Sequence, residues 1–395
     1  MTTVAADFPR RLAALRGMLT AQGLDLAVFT YNTDILYYAG SIQPLYLFVP
    51  AAGEPFLLTR KAATRIRDEV HHLPLFEFTG TKELRAILTA RGVSSVARLG
   101  MTLDTAAYAT VERLREVLGN PALTDIAWET RTLRMVKEPA EVAVFRRAAA
   151  VMAELPVWVH ALMRPGISEL AFSADLECEM RRRGHGSLIR CRREGVEMAA
   201  YGVCSGGVNT LAGTKFDGIC GGTGLSAAAP FGAAETLLAP GIPFVLDFAF
   251  VLDGYHLDQT RMACLGAPSP EVTRAYDAMV AVQAAIFAAL RPGALWETIY
   301  ADAVALAGDL GYADTFMGAG SERVRFVGHG VGIELDEPPF LAPRMPYPLE
   351  AGMTLAIEPK VALPNIGVVG IEDTILITPD GIERLTTCAP EFIVV

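Results

Sequence analysis

Apolar positions in the first third of the chain recur at two different periods. After Asp7, residues Leu12, Leu15, Met18 and Leu19 fall at helical spacing, with Pro9 near the start and Gly23 as a stop. Short apolar runs follow at 26–30, 35–39, 46–49 and 56–58, separated by Gly, Pro and Asn. A helical pattern over 82–90, a strand-like run at 96–99 and a helical pattern over 105–117 come next. This alternation predicts a layered α/β N-terminal domain. Pro139 opens a new helix, so a boundary is placed near 136–139, giving domains 1–135 and 136–395.

The rest of the chain repeats itself. A helix candidate over 140–162 ends at Arg164-Pro165-Gly166, and a second helix follows over 170–183. Another candidate over 270–290, with Ser269 as its N-cap, ends at Arg291-Pro292-Gly293 and is followed by 296–310. The two stops lie 127 residues apart, and each helix pair leads into an apolar β segment holding two acids. These acids are Asp247 and Asp258, then Glu358 and Glu372. Arg-Pro-Gly is a common helix stop, but agreement of every element in order favours a duplication. An α+β C-terminal domain with an internal pseudo-twofold repeat is expected.

In the first segment, 244–252 and 255–264 are strand-like around Asp253-Gly254, a strong two-residue hairpin signal. A tight turn pairs Leu252 with Tyr255 and sets Asp258 opposite Ala249, two residues from Asp247 and on its face. The two carboxylates then stand about 7–8 Å apart at the backbone, near enough to share an ion. In the second segment, 354–363 and 368–378 flank Pro364-Asn365-Ile366-Gly367. A three- or five-residue loop sets Glu358 opposite Glu372; a four-residue loop does not. The register is open at this point.

Acids turned toward an apolar surface repel one another unless a positive charge lies between them. Four of them point to a cation cluster. His329, between glycines in Gly328-His329-Gly330-Val331-Gly332, has the ligand-like setting. One imidazole and four carboxylates form the mixed N/O set that suits paired Mn, Co, Fe or Zn ions roughly 3.5–4 Å apart. Such ions share a hydroxide and polarise a substrate carbonyl.

Composition narrows the function classes. The 395 residues are 52% hydrophobic, enough for two or three packed domains. A net charge of −10 argues against nucleic acid as a partner. The basic runs at 181–183 and 190–193 read as solvated faces. Apolar stretches such as 244–252 stop far short of the roughly 20 residues of a membrane span. Residues 1–20 show no signal-peptide core, and six cysteines without Cys-x-x-Cys spacing suit a reducing cytoplasm. The Gly-rich segment 218–224 lacks the Lys-Ser/Thr of a P-loop and reads as a mobile loop near a substrate entrance.

Five stretches carry a resemblance. They are Val245-Leu246-Asp247-Phe248, the run from Asp253 to Arg261, Gly328 to Gly332, Ala356-Ile357-Glu358-Pro359 and Gly370-Ile371-Glu372-Asp373-Thr374. Together they resemble the motifs of the M24 metallopeptidases, in the branch of creatinase, prolidase and aminopeptidase P. Residues 7–125 resemble the N-terminal domain of that branch, as in Asn32-Thr33-Asp34-Ile35-Leu36-Tyr37-Tyr38-Ala39-Gly40. The resemblance implies the pita-bread fold for 136–395, a homodimer, and peptides cleaved before proline. It implies two divalent ions, manganese first and cobalt, zinc or iron as alternatives. Asp247 would hold one ion, His329 and Glu358 the other, with Asp258 and Glu372 as bridges. Glu358 would also shuttle the proton of the bridging water.

The chain departs from that pattern in three places. Prolidase-like members carry a substrate-gripping histidine seven residues after the metal histidine; here Asp336 stands there. Where a second such histidine precedes the first aspartate, this chain reads Ala229-Pro230-Phe231. An arginine often found two before the last glutamate is replaced by Gly370. Asp336 is the further catalytic candidate: as a carboxylate it accepts hydrogen bonds without donating, which suits a cationic substrate group or a base. His256 and Phe231 are the substrate-binding candidates. A metal-dependent hydrolase resembling an Xaa-Pro dipeptidase or aminopeptidase is expected. The alternatives are a non-peptidase lyase or small-molecule hydrolase on the same scaffold and, third, a binding protein without catalysis.

Overall fold

The computed structural model describes residues 6–192, 202–215 and 218–395. They form two compact units, one running to Arg134 and taking in Arg192, the other beginning at Met135.

In the first unit the helix Phe8–Ala21 begins where the Asp7 side chain accepts the Arg10 N–H, and Gly23 follows it at φ 65°. Three of the four short apolar runs are strands: Leu26–Phe29, Tyr46–Pro50 and Phe56–Thr59. The run at 35–39 is instead the body of the helix Asn32–Ala39, closed by left-handed Gly40. So short an apolar run carries too little periodicity to separate helix from strand. A six-stranded sheet runs in the order Leu75–Glu77, Phe56–Thr59, Tyr46–Pro50, Leu26–Phe29, Arg98–Met101, Ala122–Asp125. Leu26 and Val28 join Phe48, Leu88 and Leu114 in one core, while Phe29, on the opposite face, lies 5.2 Å from the Tyr38 ring. Both faces are covered, which is why these strands read as unbroken apolar runs.

The basic run 190–193 needs correcting. Arg192 is no solvated residue: its fully buried guanidinium bonds Asp34 at 2.9 Å and Asp104 at 2.6 Å. Asp34, itself buried, also takes Arg134 at 3.0 Å. A buried carboxylate demands such partners. Arg193 lies outside the described residues.

The second unit is built twice. The helices Glu169–Arg182 and Trp296–Asp309 have equal length and the same 127-residue offset as their preceding stops. Gly166 and Gly293 sit at φ 77° and 87°, where a side chain would be strained. In each half a long helix lies against its own acidic hairpin: Pro139–Met152 on Phe244–Leu252 and Tyr255–Cys264, Pro270–Ala289 on Lys360–Leu363 and Gly367–Gly370. The expected single helix over 140–162 is two, Pro139–Met152 and Leu155–Leu162. Pro156 cannot donate inside a helix and is tolerated in the first turn of the second one.

One sheet of this unit contains Gly202–Gly206, Phe244–Leu252, Tyr255–Cys264 and Ile393–Val394. A second, five-stranded, contains Gly328–Gly330 between Glu337–Phe340 and Thr354–Ile357. Within the Gly-rich segment 218–224, Gly222 stands where a side chain would not fit. A Cβ at Gly222 would lie 2.2 Å from the Gly232 carbonyl, so two backbones cross closely there. Among the described residues no helix is long and apolar enough to cross a membrane.

Candidate metal centre

The first acidic hairpin has the register expected of its turn. Asp253 at φ 49° and Gly254 at φ 90° make the two-residue loop, Leu252 pairs with Tyr255, and Ala249 pairs with Asp258. In the second, Leu363 pairs with Gly367, leaving the three-residue loop Pro364-Asn365-Ile366. The same register continues to Ile357 and Asp373, so Glu358 and Glu372 fall opposite each other. The expected continuous strand over 354–363 is broken at Glu358-Pro359. Pro359 has no N–H for the ladder, and the two halves pair in different sheets.

The hairpins are joined where Thr260 and Glu372 exchange backbone hydrogen bonds of 3.3 and 3.2 Å. The Thr260 hydroxyl also donates to Glu372 Oε2 at 2.7 Å, and the Thr374 hydroxyl to the Asp258 carbonyl at 2.7 Å. His329 arrives on the strand Gly328–Gly330. A Cβ at Gly328 would lie 2.6 Å from the Ala356 carbonyl, and one at Gly330 2.4 Å from that of Glu337. Only glycines let this strand press so close.

His329 Nε2 faces Glu358 Oε1 at 3.4 Å, Asp258 Oδ2 at 3.8 Å and Glu372 Oε1 at 3.9 Å. Ligand atoms of Asp258, His329 and Glu372 lie within 4.8 Å of one another, all buried. The Nδ1 of His329 is 3.2 Å from the Gly330 carbonyl. That contact is a hydrogen bond when Nδ1 carries the proton, which leaves the Nε2 lone pair toward the acids. An imidazole nitrogen among buried carboxylate oxygens fits a divalent cation.

A lysine the sequence reading passed over sits in the same cluster. Lys360 Nζ donates to Glu358 Oε2 at 2.7 Å, Glu372 Oε2 at 2.9 Å and Asp247 Oδ2 at 3.2 Å. The signal was present: Lys360 follows Glu358 by two residues, the spacing that returns a strand to the same face. Burial alone would lower its pKa, but Asp247, Glu358 and Glu372 hold it well above the ordinary value. Glu358 is held at about 2: burial raises it, but Lys360 and His329 outweigh that. Burial pushes Glu372 up to about 7, with Glu358 and Asp247 adding to the effect. Asp258 is driven up by burial, then by Glu372 and Asp247. His329 would fall on burial, but its bond to Glu358 and the charges of Asp336, Glu358 and Asp258 carry it well above its ordinary value.

Asp336 is half-buried and acts on His329 through its charge. Its neighbour Glu337 is fixed by a buried 2.7 Å ion pair with Lys137. His256, expected at the substrate, has another task. Its Nδ1 donates to the Gly332 carbonyl at 3.0 Å and its Nε2 accepts the Arg190 N–H at 3.0 Å. Both ring nitrogens are therefore used within the protein, and burial pushes its pKa down to about 4. Phe231 is half-buried in the segment leading to Gly232.

This geometry, carried by the twofold-repeated unit of a chain that also holds an α/β unit, defines a metallopeptidase of the creatinase and prolidase type. The description "Metallopeptidase family M24" matches residues 143–379 and "Creatinase/Prolidase N-terminal domain" matches 11–136; the chain belongs to this family. It is 28% identical over 390 residues to the uncharacterized peptidase YqhT of Bacillus subtilis, covering 97% of this chain and 99% of that one. It is 27% identical over 417 residues to the probable dipeptidase PepE of Mycobacterium tuberculosis, covering 99% and 97%. The fold matches that of the Xaa-Pro dipeptidase from Bacillus anthracis with a TM-score of 0.82 at 22% identity, over 98% of this chain and 100% of that one. The expected two-domain pita-bread architecture is the one found.

Proposed function

We propose that this protein is a divalent-metal-dependent hydrolase of peptide or amide bonds, with Xaa-Pro dipeptides the first substrates to test. The observation that carries the reading is the convergence of His329 Nε2 on Glu358, Asp258 and Glu372. Relatives named as dipeptidases support a peptide substrate. His329, Asp258, Glu358 and Glu372 would hold the ion, which supplies Lewis acidity and lowers the pKa of bound water. A carboxylate set with a single imidazole favours manganese as the first ion to try. The two-ion arrangement expected from sequence needs a second ion between Asp247, Asp258 and Glu372.

Glu358, held ionised, takes a proton from the attacking water at a carboxylate oxygen and returns it to the leaving nitrogen. Asp336, beside His329, accepts a positively charged group of the substrate. A homodimer in a reducing cytoplasm completes the proposal. None of the six cysteines is in a disulfide, which supports the compartment; the dimer rests on family resemblance alone.

The test supplies Mn, Co, Zn or Fe separately and follows cleavage of Ala-Pro, Leu-Pro, Xaa-Pro-Pro, lysine-containing analogues and non-proline controls. Metal-restored hydrolysis is expected, faster with positive charge near the reacting bond. Glu358→Gln should abolish turnover, and Asp336→Asn should lower it while metal content is unchanged. Metal binding without cleavage of any peptide would favour the second reading, a non-peptidase enzyme on this scaffold. Asp336, an acceptor where a donor is expected, is the observation behind that alternative.

A further inference from the structure

We propose that the Lys360 ammonium stands in for one of the two metal ions, so that this chain holds a single divalent ion on the His329 side of the cluster. The inference rests on the metal-dependent reading above.

The two glutamates divide their oxygens between two cationic positions. Glu358 and Glu372 turn Oε1 toward His329 and Oε2 toward Lys360. Bridging carboxylates divide in the same way between two metal ions. Here one of the cations is part of the chain. Its side chain is 1% exposed and reaches Asp247 as well, at 3.2 Å. A second ion among those oxygens would evict the ammonium from three carboxylates and leave it buried without them, which is strongly unfavourable.

The opposite strand shows how the room for Lys360 arises. Lys360 pairs directly with Gly370. A Cβ at position 370 would lie 2.5 Å from Lys360 Cγ and 2.6 Å from the Pro359 carbonyl. Any side chain at 370 and the observed path of Lys360 therefore exclude each other. The bare backbone at Gly370 leaves Lys360 room to turn into the carboxylate cluster. Asp247 then serves the lysine and is not a metal ligand.

The test counts manganese per chain by elemental analysis of the full-length protein after saturation and gel filtration. Electron paramagnetic resonance of the same samples separates isolated from exchange-coupled Mn(II). Wild type should hold one ion with an uncoupled spectrum. Lys360→Met or Lys360→Gly should hold two, with a coupled spectrum, and Asp247→Asn should still hold one. Two ions in wild type would overturn the proposal and leave the metal-dependent hydrolase standing. One ion in wild type and in both folded lysine variants would overturn Lys360 as the occupant, as would loss of the ion in Asp247→Asn. If the lysine variants do not fold, the wild-type count and Asp247→Asn decide. No ion in any protein would remove the metal-dependent reading and this proposal together.

Discussion

The two acidic hairpins follow one plan and use their basic residues in opposite ways. The first is continuous, and its Arg261 turns away from the ligands. The guanidinium makes five hydrogen bonds, to the carbonyls of Ala389, Thr260, Glu372 and Cys388 and to Asp373. The second is broken at Glu358-Pro359, and the partners of its Lys360 among the described residues are all carboxylates of the cluster. A planar fork with fixed donors fastens backbone to backbone; a compact ammonium can take the place of an ion. One cation holds the scaffold, and the other belongs to the site.

Paired substitutions test that division most severely. Arg261→Met is expected to cost about 3–5 kcal/mol, because buried Asp373 loses its main partner and manganese cannot replace it. Lys360→Met should also destabilise the metal-free protein, but added manganese should restore it. Urea unfolding with and without the ion reads both. Equal rescue of the two variants would erase the distinction between the hairpins.

A smaller effect concerns His256, which ties the first hairpin through uncharged hydrogen bonds. Its folded pKa of about 4 lies below the ordinary 6.5, so between these values the unfolded chain binds a proton that the folded one refuses. Its contribution is complete above about pH 6.5 and is lost as pH falls toward 4, by about 3 kcal/mol. His256→Gln should flatten that part of the stability curve, and subtracting the two curves isolates the ring. Parallel curves would mean that the ring is not held neutral.

The turns give the smallest difference. Gly254→Ala, at φ 90°, should cost about 1 kcal/mol. Asn365→Gly, at φ 63°, should be within about 0.5 kcal/mol of neutral, since glycine accepts the same backbone. Thermal unfolding orders them.

What was legible from sequence follows the same contrast. Asp253-Gly254 dictates a register on its own, so the placement of Asp258 opposite Ala249 could be read without a structure. The Pro364 to Gly367 turn allowed several loop lengths, and only the folded ladder selects three residues. The carboxylates and His329 stood out because such groups are costly to bury. Lys360 did not, because one lysine in an acidic chain looks like a surface residue until its strand parity is counted. Arg192 was misread for a related reason: its acids, Asp34 and Asp104, are remote in sequence. His256 drew attention as a rare histidine, while its partners Gly332 and Arg190 are backbone groups that no pattern marks.

The bridge between Thr260 and Glu372 spans 112 residues. During synthesis the first hairpin can close on itself well before Glu358, Lys360 and Glu372 have been made. At roughly 5–20 residues per second, on the order of ten seconds separates the two hairpins on the ribosome. Through that interval Asp247 and Asp258 have neither the lysine nor the histidine-side ion, and water is the solvent that keeps them apart. Completion of the centre is therefore a late event in the life of the nascent chain, and an ion that binds only the docked halves acts chiefly by slowing their separation.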